Sequence, residues 1–72
     1  MSKLPDGVTI NGDTVYSTTT HQVLGFAQRN RWIPRWWEAY TAKEQLLGSD
    51  YPTRRAAIDA LVEHAGEEER SA

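Results

Sequence analysis

Residues 36–64 read WWEAYTAKEQLLGSDYPTRRAAIDALVEH, and the periodicity changes from that of a strand to that of a helix within this stretch. Trp36 to Ala42 alternates with period two, which puts Trp37, Ala39 and Thr41 on one face of a strand and Trp36, Glu38 and Tyr40 on the other. Ala39 is small enough to leave room for a packed helix, and Glu38 is costly to bury unpaired. Trp37 with Ala39 is therefore expected to face the core, leaving Trp36 and Tyr40 wholly or partly exposed. Lys43 to Gln45 form a turn into a short strand, Leu46-Leu47-Gly48. The period then becomes helical: Ala57, Ile58, Leu61, Val62 and Ala65 make one apolar stripe. Thr53 is placed to cap this helix through its hydroxyl, and Gly66 to stop it.

Upstream, Gln22 to Arg29 reads as a strand whose core-facing pair is Leu24 and Phe26. Asn30 to Pro34 breaks the pattern, because Pro34 has no amide to donate and pushes Ile33 toward an extended backbone. Asn11-Gly12 predicts a two-residue hairpin of type I′, since both central positions of that turn need positive φ, with Val8 and Val15 opposite each other. Ser17 to Thr20 fits either a strand extension or a loop. The expected fold is α+β: a small antiparallel sheet of three strands, which the N-terminal hairpin can extend, packed on one C-terminal helix. Residues 1–66 form a single domain, with Phe26, Trp37, Ala39, Leu47, Ile58, Leu61 and Val62 as its core. Residues 67–72 are expected to be a disordered acidic tail.

A 72-residue chain buries only about 60% of the surface that its unfolded form exposes, so each large apolar side chain matters. There is no cysteine, which excludes disulfide staples and thiolate metal sites. The opening residues lack an apolar signal core and no apolar run approaches the ~20 residues of a membrane span, so a cytoplasmic, non-membrane protein is expected. His21 and His64 have no second ligand at metal-binding spacing, and no shielded carboxylate pair or glycine-rich phosphate loop is present. No catalytic residues, metal, cofactor or small-molecule substrate are therefore expected, and the protein reads as non-enzymatic.

The net charge of −2 conceals segregation: Arg29, Arg31, Arg35, Arg54 and Arg55 lie mid-chain, while Asp59, Glu63, Glu67, Glu68 and Glu69 follow. Arginines interleaved with tryptophan suit an anion-facing or partner-facing patch, made of Arg29, Arg31, Trp32, Arg35, Trp36 and Tyr40. Arg54 and Arg55 occupy the first helical turn, where the macrodipole favours anions, and are a candidate anion site.

From Leu24 to Ala65, the run LGFAQRN, WWEAY, LLGSDYPT and RRAAIDALVEHA resembles the DNA-binding domains of plant ethylene-responsive transcription factors. It is also similar to the arm-binding domains of phage-type integrases and to domains of homing endonucleases. The resemblance implies a three-stranded sheet whose exposed face enters the DNA major groove. It matches Arg29 to a DNA-contacting arginine. Ala27, Tyr40, Ala42 and Leu46 depart from that pattern, standing where arginine, an acid, arginine and tryptophan are expected.

Two function classes follow. One is a small nucleic-acid-binding module in which the arginines hold phosphates and Trp32 or Trp36 stacks. The other is a protein-interaction module, such as a phage or mobile-element accessory that docks through Trp, Tyr and Arg. Homodimerisation through Trp36 or a sheet edge is compatible with either.

Overall fold

The computed structural model describes residue 4 and residues 6–71, apart from the side chains of 68–71. The chain is α+β: β1 (Val8–Asn11), β2 (Thr14–Ser17), β3 (Val23–Arg29), β4 (Trp37–Thr41), β5 (Leu46–Tyr51) and α1 (Arg54–Ser71). All strand pairs are antiparallel, and the sheet order is β1-β2-β3-β4-β5. The sheet thus has five strands rather than three, because the N-terminal hairpin pairs with β3 and continues the same sheet.

The helix covers one face of β3, β4 and β5. Directly opposite residues of an antiparallel pair share a face. A Cβ on Gly25 would point at Leu61, so Gly25 marks the helix-covered side. Its partners Val15 and Thr41 lie there too, as do the pairs Ala27 with Ala39 and Arg29 with Trp37. Val8, Val15, Ala27, Ala39, Ala57, Ile58 and Leu61 form the buried core, with Leu24, Trp37, Leu47 and Tyr51 half-buried around it. Burying Ile58 and Leu61 contributes about 1.5–3 kcal/mol each.

Phe26, expected in the core, lies on the opposite face, paired with Tyr40. The cause is a bulge. Val15 pairs with Gly25 but Tyr16 with Val23, which leaves Leu24 as an extra residue. One extra residue reverses the alternation beyond it, so Leu24 packs against the core while Phe26 turns away. Two further register shifts between β4 and β5 let that strand run through Tyr51, three residues beyond the Gly48 end that was expected.

The first hairpin also differs from its expected form. Asn11 pairs with Thr14, so Gly12 and Asp13 are the central residues, and only Gly12 has positive φ, at 63°. A type I′ turn needs positive φ at both, so the sign pattern is that of type II′. Val15 faces Ile10, and Val8 faces Ser17.

Thr53 caps the helix, its Oγ1 accepting from the Ala56 amide at 3.1 Å. The helix does not stop at Gly66, and the acidic segment expected to be disordered continues it to Ser71. Glycine permits a stop but does not impose one; in a helix interior it costs only about 1 kcal/mol relative to Ala. Among the described residues no helix is long and apolar enough to cross a membrane.

Two glycine substitutions test this packing. A Cβ at Gly25 would lie 2.3 Å from the Tyr40 carbonyl oxygen and 2.6 Å from Leu61 Cδ2, at a φ of 156°. Gly25→Ala is expected to destabilise by about 1–3 kcal/mol or more in chemical denaturation. A Cβ at Gly66 meets nothing within 4 Å. Gly66→Ala is expected to stabilise by about 0.5–1 kcal/mol; a loss of stability would show that Gly66 ends the helix after all.

Candidate binding surface

Asn30, between β3 and the loop that follows, organises the most exposed aromatic of the protein. It is buried, with 7% exposure. Its Oδ1 accepts from the backbone amides of Trp32 at 2.8 Å and Ile33 at 3.0 Å, and its Nδ2 donates to the Ser49 carbonyl at 2.8 Å. Asn30 also donates its backbone N–H to Trp36, and Trp36 donates to Ile33. Short polar side chains that bind the backbone two residues on build this kind of turn. Arg29 braces the loop from outside, Nη1 donating to the Pro34 carbonyl at 2.8 Å. The result is a pinned loop, residues 30–36, that presents Trp32 at 82% exposure together with exposed Arg31, Ile33, Pro34 and Arg35.

The expected site residues do not share one face. Arg31, Trp32, Arg35 and Trp36 belong to the loop. Arg35 lies 5.8 Å from the ring centroid of half-buried Trp36. Arg29 lies on the helix side of the sheet, 5.0 Å from the ring of Trp37. Tyr40 lies on the uncovered face beside Phe26. Positions that the DNA-binding resemblance assigns to a single face are therefore divided, Ala27 and Arg29 on one side, Tyr40 and Leu46 on the other.

Arg54 and Arg55 are both engaged within the chain. Arg54 Nη2 donates to the Gly12 carbonyl in the β1–β2 turn, and its guanidinium sits 5.6 Å from the Trp37 ring centroid. It thereby ties the start of the helix to the hairpin and adds a second cation, beside Arg29, near the Trp37 ring. Its Nε is buried without a hydrogen-bond partner. Arg55 pairs with Asp59 one turn on, at 3.0 Å. Both side chains are more than a third exposed, so that pair contributes little, about 0–1 kcal/mol.

On the uncovered face, Phe26, Gln28, Tyr40, Asp13 and Glu44 line an open cleft of about 340 Å³. Glu38 lies on the same face and is buried at 8% exposure, against the expectation that it would stay in water. Gln28 Nε2 donates to its Oε1 at 3.2 Å, which supplies one partner for the carboxylate. At the far edge, burial and the nearby Asp50 carboxylate raise the pKa of Tyr51 above the ordinary phenol value.

Compared with known proteins, the chain matches no family model, no curated protein and no solved structure.

Asn30 does not stand out in the sequence, because Pro34 marks the segment as a connection. The available signal was an asparagine followed by a tight, aromatic-bearing turn. Asn30→Ala removes three side-chain hydrogen bonds and leaves partly buried backbone groups without these partners. It is expected to cost about 1–3 kcal/mol and to raise the mobility of Trp32 in fluorescence anisotropy. Unchanged anisotropy would mean that the loop is held by other contacts.

Proposed function

We propose that this protein is a small non-enzymatic module that binds nucleic acid in the cytoplasm, through the loop end of the sheet rather than its flat face. The observation that carries this reading is Trp32, pinned in an exposed position with Arg31 and Arg35 beside it. An exposed indole can stack on an unpaired base or wedge at a base step, while flanking guanidiniums take phosphates. The flat face is less suited. It carries Glu38, with Asp13 and Glu44 at the rim of its cleft, and phosphates are repelled there.

Part of the acidic total lies far from this surface. Glu67 lies 13 residues along the helix from Arg54, about 20 Å at 1.5 Å per residue, which is two or more screening lengths of about 8–10 Å. The helix carries these charges away from its N-terminal end, where Arg54 meets Trp37.

A second reading, docking of a partner protein, is favoured by the exposure of Ile33 and Pro34 beside Trp32. A Trp between arginines has the composition of an interface hot spot.

The two readings separate by titrating labelled single-stranded and duplex oligonucleotides across salt concentration. Under the nucleic-acid reading, Trp32→Ala weakens binding by about 1–3 kcal/mol with little change in salt slope. Arg31→Ala and Arg35→Ala each reduce the slope by about one. Tyr40→Ala leaves binding unchanged. Absence of binding at low salt would overturn the reading. Loss of a captured protein partner on Trp32→Ala would then establish the second.

A further inference from the structure

The cleft on the uncovered face has a chemistry opposite to that of the loop. Phe26 and Tyr40 stand directly across from each other on β3 and β4, so two neighbouring aromatic side chains line it. Asp13, from the β1–β2 turn, and Glu44, from the β4–β5 turn, supply carboxylates from two different hairpins. Gln28 gives its amide N–H to Glu38, which leaves its carbonyl oxygen as a further acceptor. Among the described residues, no basic residue lines the cleft.

We propose that this cleft receives an arginine side chain of a partner protein. A guanidinium is planar, stacks on aromatic rings and pairs with carboxylates through a fork of N–H groups. The lining offers each of these: two rings, two carboxylates and a carbonyl acceptor. Charge complementarity selects a cation over a phosphate-bearing ligand. Planarity favours guanidinium over ammonium, since two adjacent rings on a pleated sheet form a platform rather than an enclosing cage. The volume lies at the lower end of the range of about 300–1,000 Å³ for ligand pockets, which suits one side chain rather than a cofactor. This site does not depend on the nucleic-acid reading of the loop, and the charges of the two surfaces direct them to different partners.

The test is amide chemical-shift mapping of the full chain with the peptide acetyl-Gly-Arg-Gly-amide, alongside its citrulline counterpart, which has the same shape without the charge. The arginine peptide is expected to shift residues 13, 26, 28, 40 and 44, and the citrulline peptide is expected not to. The double variant Asp13→Asn, Glu44→Gln changes only two exposed side chains and should still fold. It should bind the arginine peptide about tenfold more weakly, as expected for loss of charge-assisted hydrogen bonds. Equal shifts with citrulline would overturn the proposal, as would arginine-induced shifts confined to the acidic helix end. Stronger binding of cytidine at the same residues would assign the cleft to a nucleobase and also overturn it.

Discussion

The approach of the helix to β3 at Gly25 is the constraint on which the rest of the structure depends. Leu61 and the Tyr40 carbonyl together fill the space that any side chain at position 25 would need. With Ala27 and Ala39 as the next pair along, the covered face is built from the smallest residues. The helix can therefore lie close, and Ile58 and Leu61 supply the volume that the sheet lacks. Interiors pack at the density of organic crystals, so small residues on one layer demand large ones on the other. The large side chains of β3 and β4 are correspondingly displaced, Phe26 and Tyr40 to the uncovered face and Trp37 to the margin under Arg29 and Arg54.

From that division follow two surfaces of opposite character. At one end, Asn30 converts a short connection into a loop whose backbone is pinned, which fixes the position from which the exposed Trp32 projects. Arg54 reaches across from the helix to the hairpin turn, joining the first and last elements of the chain. Its placement in the first helical turn opposes the macrodipole, and the contacts with Gly12 and Trp37 offset that small penalty. On the flat face, carboxylates and aromatic rings share the cleft, which disfavours phosphate and favours cations.

Much of the fold was legible in the sequence, and the failures have one recurring cause. The Thr53 cap, the helical stripe and the assignment of Trp37 and Ala39 to the covered face of β4 follow from local chemistry and simple periodicity. Phe26 was misplaced and β5 cut short because bulges shift the phase of a strand without leaving a clear mark in composition. Glu38 was expected in water because a carboxylate's partner on another strand, Gln28, is invisible to a single-strand argument. Gly66 is permissive of two conformations, and position alone did not choose between them. At the candidate surface, the residue types of the loop were legible, but not the hydrogen bonds by which Asn30 holds the backbone of the segment that carries exposed Trp32. The cleft was not legible at all, since its lining comes from β3, β4 and two turns.

The chain has three tryptophans, and incorporation of 5-fluorotryptophan gives one fluorine resonance for each. Fluorine NMR during titration with a single-stranded oligonucleotide tests the central claim most directly, because it reports on the loop and the sheet margin in one spectrum. The account predicts that the Trp32 resonance is the most accessible to a soluble paramagnetic agent and is the one that moves on binding, while Trp37 stays in place. A Trp32 resonance unmoved by saturating oligonucleotide, with Trp36 or Trp37 shifting instead, would contradict it.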